Sequence, residues 1–236
     1  MLPDLPTLEW NDVPKLTCAQ ARQMTALATG RYGLPMSELM RRAGTSLAEF
    51  TNLLAPDGPL LVVVGRGHNG GAGIAAACAL AAQGRRVWVV PTHEAENYSG
   101  VPKEQLEKLA ALEHVRVRSS LPKMKFCGVV DAAVGTGLSG PPRGRTLDVV
   151  TVLNNLGSRV VALDVPTGLD ADDGSAPGDA VQATATFALA FPKQGTAPGG
   201  PVGELYVADL GLPDALFQDM GLEPFTPPHP WGWIRN

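Results

Sequence analysis

The chain has little that would suit it to nucleic acid or to a membrane. Only 18% of its 236 residues are charged, the formal net charge is −4, and no run of lysines and arginines occurs. Duplex binding depends on neutralising phosphates, so we expect no nucleic-acid partner. The longest apolar runs fall well short of the roughly 20 residues that a membrane span requires, so we expect no membrane partner either.

Cysteine is also scarce. The three cysteines, Cys18, Cys78 and Cys127, are far apart in the sequence, and no C-x-x-C spacing occurs. This usage is typical of reduced thiols rather than of a disulfide framework or a zinc site. The opening residues, MLPDLPTLEW, have neither the basic region nor the apolar stretch of a secretory signal. We therefore expect a cytoplasmic protein.

From residue 60 onward, strand-like runs alternate with helical patterns. The strand-like runs include LLVVV, RVWVVP, CGVVDA and RVVALDVP, and the helix-like runs include GGAGIAAACALAAQG and TLDVVTVLNNLG. Strands that alternate with helices of about 10–15 residues indicate an α/β fold with a mostly parallel, doubly wound sheet.

No Ser/Gly linker or charge run divides the chain, so we expect a single domain over residues 1–236. Its predicted parts are an irregular arm at 1–16, N-terminal helices at 17–56, an α/β core at 59–212 and a Pro/Trp-rich tail at 213–236. Thr17 and Ser37 are predicted to be the N-caps of the first two helices. The tail indoles of Trp231 and Trp233 could pack on the domain itself or contact a partner.

Three loops that contain glycine each follow a strand-like run. They are GRGHNGGAG at 65–73, DAAVGTGLSG at 131–140 and DVPTG at 164–168. In open α/β sheets, ligands bind at the carboxyl ends of the strands, and these loops leave the strands at those ends. Glycine lets the backbone approach a phosphate closely, and the helix after the first loop offers free N–H groups to an anion. The loops together predict a site for a small molecule that carries phosphate.

Individual side chains in these loops allow more than one interpretation. Asp164 could act as a general acid or base, or it could bond neighbouring backbone amides. The side-chain oxygen of Asn69 could coordinate a cation or cap the helix. A dinucleotide-dependent dehydrogenase would need an acid at the end of the next strand, but that strand ends in Pro91-Thr92-His93, and Glu94 lies past it.

The three loops, taken with Leu39-Met40 and with Phe191-Pro192-Lys193, resemble the ordered motifs of the YjeF N-terminal domain family of NAD(P)H-hydrate epimerases. That family typically shows GxGNNGGDG, then DAxxGTGxxG, then DxPSG, then a later strand ending in PK. The resemblance covers roughly residues 17–212. It implies a Rossmann-like three-layer sandwich that interconverts the R and S epimers at C6 of the hydrated nicotinamide ring of NADH or NADPH.

The resemblance also implies roles for particular residues. Asp164 would be the catalytic group, and Asn69, Asp131 and Thr167 would hold a potassium ion as cofactor. Substrate contacts would come from Asp164 and from the loop residues His68, Asn69, Gly70, Gly71, Ala72, Gly135, Thr136, Gly137, Leu138, Ser139, Gly140 and Pro141. A homodimer is plausible, and we expect any partner dehydratase to be a separate chain.

Four positions depart from the family pattern. Ala72 replaces an acid of the first loop, Arg41 replaces an acid, Thr25 stands near a usual Asp, and Thr92 stands where Lys is often found. The retained Asp164 favours a working epimerase, whereas the lost acids favour a non-catalytic nucleotide- or protein-binding module of the same fold. A nicotinamide-dependent oxidoreductase is a third alternative, and the missing ribose acid weighs against it.

Overall fold

The computed structural model describes residues 6–138, 140–225 and 231–236, and these form a nine-stranded sheet. The strands are β1 (Thr7–Glu9), β2 (Leu60–Val64), β3 (Val87–Pro91), β4 (Val115–Val117), β5 (Gly128–Ala132), β6 (Arg159–Leu163), β7 (Ala185–Leu189), β8 (Glu204–Ala208) and β9 (Trp231–Arg235). Their spatial order is β1-β9-β8-β7-β6-β5-β2-β3-β4. In the described part of the chain, β8 and β9 form the antiparallel pair and the other neighbours run parallel. The predicted mostly parallel α/β sheet is confirmed.

The helices are α1 (Cys18–Gly30), α2 (Met36–Leu54), α3 (His68–Ala82), α4 (Gly100–Leu109), α5 (Arg145–Asn155) and α6 (Asp214–Asp219). Helices α2 and α3 pack tightly, because a Cβ added to Gly44 of α2 would lie 2.5 Å from the Cβ of Ala75. None of the helices in the described ranges is both long and apolar enough to cross a membrane.

Strand β2 shows how the sheet is covered on both faces. All five of its residues are buried. Leu60, Val62 and Val64 pack into one apolar core with α2 and α3, and Leu61 and Val63 pack into another with α5. Side chains alternate across a strand, so a strand buried on both faces is apolar at every position.

The two ends of the chain differ from the prediction. Part of the arm predicted to be irregular, Thr7–Glu9, forms β1 and pairs in parallel with β9. The tail contributes β9, and the Trp231 ring packs 6.1 Å from the ring centroids of both Phe50 and Phe187 in the core. The sheet therefore extends beyond the predicted core limits of 59–212, whereas residues 1–5 and 226–230 lie outside the described residues.

Candidate functional site

A cavity of about 420 Å³ lies between helices α1 and α2 and the loops that leave β2, β5, β6 and β7. Met24, Met36, Leu39, Met40, Leu189 and Leu210 form much of its apolar lining. Its polar lining consists of Arg22, Thr25, Thr29, His68, Asn69, Thr136, Asp164 and Lys193. An apolar pocket with a few convergent polar groups is the usual form of a small-molecule site.

The first and second glycine loops contact each other backbone to backbone. The Gly65 amide donates to the Ala132 carbonyl at 3.0 Å, and a Cβ added to Gly65 would lie 1.9 Å from the Ala133 carbonyl oxygen. A Cβ added to Gly70 would lie 1.7 Å from the Gly65 carbonyl oxygen. Gly65 is therefore required by the close packing of the two loops, and Gly70 by the tight turn of the first loop on itself.

Helix α3 begins at His68, two residues before the predicted helix-like run GGAGIAAACALAAQG, and Gly67 is its N-cap. Asn69 thus lies inside the first turn and makes no capping bond, so the capping interpretation is wrong. The first turn contributes His68, Asn69 and Ala72 to the cavity. A helix N-terminus with free amides is a suitable position for an anion.

Asp131 joins the second loop to the third. It is completely buried at the end of β5, and its carboxylate accepts bonds from the Thr167 amide at 2.8 Å and the Thr167 hydroxyl at 2.7 Å. The Ala133 amide donates to it at 3.2 Å, and the Val134 amide donates to the Thr167 hydroxyl. Burial raises the pKa of Asp131, and these hydrogen bonds offset part of that effect.

Asp164 forms a buried ion pair with Lys193, whose Nζ lies 2.5 Å from Asp164 Oδ1. The Lys193 side chain is only 2% exposed and also donates to the Phe191 carbonyl at 2.9 Å. The Leu189 amide donates to the same carboxylate oxygen, Oδ1, at 3.3 Å. In the described part of the chain Oδ2 of Asp164 accepts no hydrogen bond, so this oxygen can serve a ligand in the cavity.

The pair is positioned by matching tight turns at the ends of β6 and β7. The Val165 amide donates to the Leu163 carbonyl across Asp164, and the Phe191 amide donates to the Leu189 carbonyl across Ala190. The residues at the centres of the two turns, Asp164 and Ala190, have φ values of 67° and 58°, which residues other than glycine rarely adopt. Such strain costs on the order of 1–3 kcal/mol and is concentrated at functional sites.

The sequence interpretation did not select Lys193 as a site residue. Its signal was the Pro-Lys pair that follows β7, because β7 neighbours β6 and both strands end at the same edge of the sheet. The contact between this lysine and Asp164 can be inferred only when the order of the strands in the sheet is known.

The structure brings some of the expected substrate residues together and leaves others apart. His68, Asn69, Ala72, Gly135, Thr136 and Asp164 line the cavity. Gly70, Gly71, Gly137, Leu138, Gly140 and Pro141 do not line it, and Ser139 lies outside the described residues. Pro141 instead packs against Gly178, and Gly71 faces the Met40 side chain.

The four positions that depart from the family pattern fall in different places. Ala72 and Thr25 line the cavity. Arg41 lies on α2 and forms an ion pair with Glu38 at 2.7 Å, and Thr92 is buried beside the first loop. Among the described residues that line the cavity, Asp164 is therefore the one with a carboxylic acid side chain, and Arg22 and Lys193 are the cationic ones.

Comparison with known proteins identifies the family. Residues 36–195 match the family described as YjeF-related protein N-terminus. A protein of Truepera radiovictrix, named NAD(P)H-hydrate epimerase, is 68% identical over 93% of this chain and 100% of its own length. A Dehalogenimonas lykanthroporepellens protein of the same name is 34% identical over 97% of this chain and 94% of its own.

Two further comparisons concern domain arrangement and fold. A Thermofilum pendens protein named bifunctional NAD(P)H-hydrate repair enzyme Nnr is 35% identical over 83% of this chain, which matches 40% of that protein. The crystal structure of a yeast protein superposes with a TM-score of 0.79 at 23% identity, covering 92% of this chain and 97% of the yeast chain. The chain belongs to the YjeF N-terminal domain family.

Proposed function

We propose that this chain is an NAD(P)H-hydrate epimerase, an isomerase that interconverts the R and S epimers of hydrated NADH or NADPH. The observation that carries the proposal is the buried Asp164–Lys193 pair, which lies in the same cavity as the N-terminus of α3. The 68% identity to the Truepera radiovictrix epimerase extends over almost the whole chain and supports the same activity.

The cavity offers each part of such a substrate a suitable surface. The amides of the first turn of α3, beside His68 and Asn69, are placed to bind phosphate oxygens. The cationic Arg22 adds a favourable charge for the diphosphate. The apolar wall around Met40 suits the face of the hydrated nicotinamide ring and would leave C6 near Asp164.

Epimerisation at C6 requires one C–O bond to break and to form again on the other face. Asp164 passes a solvent proton to the C6 hydroxyl, which leaves as water while the ring nitrogen's electron pair forms a C=N bond, and Asp164 returns to the carboxylate that pairs with Lys193. Water then adds to C6 from the opposite face, and the Asp164 carboxylate receives the proton it releases. Atoms and charge balance, and no electron donor or acceptor is required.

Lys193 is a positioning residue in this scheme. Its ammonium and the Leu189 amide both bond Oδ1 of Asp164, so the carboxylate cannot rotate freely and Oδ2 is presented to the cavity. The Phe191 carbonyl fixes the ammonium in turn. Proton transfer depends on heavy-atom distances of about 2.6–3.2 Å, which a fixed carboxylate maintains more readily.

We also propose a potassium ion at Asn69, Asp131 and Thr167, and the donor chemistry fits this ion. The groups available are a buried carboxylate, a hydroxyl and an amide, and hard cations prefer oxygen ligands. The Asn69 side chain packs against Gly135, and its Nδ2 is buried without a hydrogen-bond partner. A bound cation would neutralise the Asp131 charge and orient the Asn69 oxygen.

The product of this reaction suits a second repair step. A dehydratase that accepts one epimer would use both once they interconvert, and we propose that such an enzyme acts after this chain. Cys18, Cys78 and Cys127 are free thiols, which are typical of a reducing compartment. We therefore propose that the epimerisation takes place in the cytoplasm.

The test is direct measurement of epimerisation. Purified R epimer of hydrated NADH is incubated with the protein in potassium buffer, and the S epimer is followed by chromatography. We expect acceleration over the spontaneous rate and its loss in Asp164→Asn. Asp57→Asn is the matched control, because Asp57 is exposed in the loop before β2, at the other edge of the sheet.

Two results would separate the alternatives. No acceleration with either hydrated NADH or hydrated NADPH would contradict the epimerase and favour a non-catalytic binding module, consistent with Ala72 and Thr25 in the cavity lining. Full activity in Asp164→Asn would keep the reaction but remove Asp164 from it. Circular dichroism of each variant establishes that a loss of activity is not a loss of fold.

A further inference from the structure

A second cavity, of about 520 Å³, lies beyond the ends of β3 and β4. Its apolar lining includes Pro91, Ala95, Leu106, Ala110 and Val117. Arg118 and Lys103 and the residue that begins α5, Arg145, bring positive charge to it. An apolar surface edged by cations is suited to an aromatic base attached to a phosphate.

The first glycine loop separates this cavity from the one that contains Asp164. The Thr92 amide, just past β3, donates to the Val64 carbonyl at 2.9 Å, and the Tyr98 hydroxyl donates to the same carbonyl at 2.8 Å. Val64 is the last residue before Gly65 of that loop. Strand spacing of about 4.8 Å places the ends of β6 and β3 about 14 Å apart, because β5 and β2 lie between them.

The two cavities therefore flank the α3 N-terminus as the two halves of a dinucleotide flank its diphosphate. In Rossmann-like folds the strand after the glycine loop ends beside the adenosine ribose, and an acid there binds the 2′-hydroxyl. Here that strand, β3, is followed by Thr92 and His93 rather than by an acid. In such folds a nearby arginine accommodates a 2′-phosphate instead.

Arg145 is held in place for such a role. It pairs with Glu94 at 3.1 Å and donates to the Ser119 carbonyl, so it spans the loops after β3 and β4. The Glu94 side chain is 70% exposed, and an ion pair so open to solvent is weak. A phosphate dianion can therefore take the place of Glu94 on the guanidinium.

The charges around His93 agree with this geometry. Burial lowers the pKa of His93, and the nearby Arg66 and Arg145 lower it further, which reflects a positive potential at the end of β3. The acids at the cavity, Glu94, Glu96 and Glu107, oppose this potential, so a phosphate bound there has to lie nearer to the arginines than to these carboxylates.

We propose that the second cavity binds the adenosine half of the substrate and that Arg145 and Arg118 hold a phosphate on its 2′-oxygen, so that hydrated NADPH is preferred to hydrated NADH. The choice of substrate rests on the proposed function; the phosphate site itself does not. Arginine matches phosphate geometry with paired N–H donors, and such charge-assisted bonds contribute more than neutral ones.

The test uses two probes that contain no nicotinamide. Calorimetry compares adenosine 2′,5′-bisphosphate with adenosine 5′-monophosphate at fixed salt. We expect the bisphosphate to bind about tenfold more tightly, as one good charge-assisted contact provides. Arg145→Gln and, separately, Arg118→Gln should bring the affinity ratio toward one, and Glu94→Gln should raise it by removing the competing carboxylate.

Arg116→Gln is the matched control, because Arg116 is an arginine of β4 whose guanidinium bonds the Glu113 and Val115 carbonyls outside the cavity. Equal affinities of the wild type for the two probes, or an unchanged ratio in both arginine variants, would overturn the proposal. Melting curves identify any variant that has lost its fold. If one of the two arginine variants does not fold, the other still tests whether the affinity ratio falls.

Activity distinguishes this inference from the function on which it rests. With both hydrates as substrates, we expect kcat/KM to favour hydrated NADPH about tenfold in the wild type and to lose that preference in Arg145→Gln. A protein that prefers the bisphosphate through Arg145 but epimerises neither hydrate would support the phosphate site and contradict the proposed function.

Discussion

Lys193 and Asp164 meet at 2.5 Å although 29 residues separate them in the chain. Their meeting follows from the sheet, because Leu163 at the end of β6 pairs with Phe187 of β7, and each strand then turns sharply. An ammonium with 2% exposure is costly to bury without a countercharge. The pair therefore links the stability of the fold to the chemistry of the cavity.

The first prediction concerns this link. Asp164→Asn leaves the buried Lys193 ammonium without its countercharge, and we expect it to lower the free energy of unfolding by about 3–5 kcal/mol. Adding Lys193→Met removes the stranded charge, so the double variant should regain at least half of that loss. Urea unfolding of the wild type, both single variants and the double variant provides the cycle.

Strictly additive losses in that cycle would show that the two side chains do not interact in solution. The double variant has a second use, because it provides a folded protein without the Asp164 carboxylate. Its lack of epimerase activity could not then be attributed to unfolding.

The second prediction concerns the contact between the first two glycine loops. Gly65→Ala would place a methyl group 1.9 Å from the Ala133 carbonyl oxygen, and backbone cannot move aside cheaply. We expect loss of several kcal/mol of stability or failure to fold, as for other overpacked sites. Thermal melting is the measurement.

Gly67→Ala is the control in the same loop. A Cβ there meets nothing within 4 Å, and the φ of Gly67 is −91°, which any residue adopts. We expect Gly67→Ala to lower the free energy of unfolding by about 1 kcal/mol, as is typical of a poorer N-cap. A Gly65→Ala protein as stable as Gly67→Ala would mean that the two loops do not pack as described.

Local patterns in the sequence predicted much of this fold. The LLVVV run predicted a strand, which the structure buries completely, and Thr17 was predicted to be an N-cap and forms a capping box with Gln20. Ser37 was wrongly predicted as a cap, because α2 begins at Met36 after Pro35. A proline just before a helix has a backbone already suited to that position, and no side-chain bond is required.

Features that depend on distant partners were not visible in the sequence. Strand β1 has three residues, too few to show a period, and its partner β9 lies more than 200 residues away in the chain. The loops were correctly expected at one edge of the sheet, but the contribution of α1 to the cavity through Arg22 was not. Lys193 was missed for the same reason, since strand order decides which strand ends become neighbours.

The third prediction concerns the pH dependence of a charge cluster on α2. Hydrogen bonds from Arg41, then from Arg42, lower the pKa of Glu38 from 4.5 to about 2. Because the folded pKa is lowered, the stabilisation is complete above pH 4.5 and is lost as the pH falls toward 2. Arg42 also donates to the Leu210 and Gly211 carbonyls, so the cluster supports a loop that lines the cavity.

Carbon-detected NMR titration of the Glu38 carboxyl measures this pKa. Arg41→Gln should move its midpoint upward toward 4.5, because the first of the two cations is lost. Arg31→Gln is the matched control, since Arg31 pairs with Asp219 at 3.0 Å and does not touch Glu38. A wild-type midpoint near 4.5 would mean that the cluster does not form in solution.

The last prediction concerns the proposed potassium site. A ligand that binds the folded state alone raises its melting temperature, so potassium chloride should stabilise the protein more than lithium or tetramethylammonium chloride at equal ionic strength. Asn69→Ala removes one proposed ligand and should reduce the difference between the salts, whereas Asn155→Ala should not, because Asn155 bonds the Thr151 carbonyl on the exposed side of α5. Identical melting in all three salts would remove potassium from the site, and an undiminished potassium effect in Asn69→Ala would place the ion elsewhere. Because Asp131 remains buried in either case, a cation bound beside it offsets the cost of burying its charge, and this is the physical reason to expect the ion there.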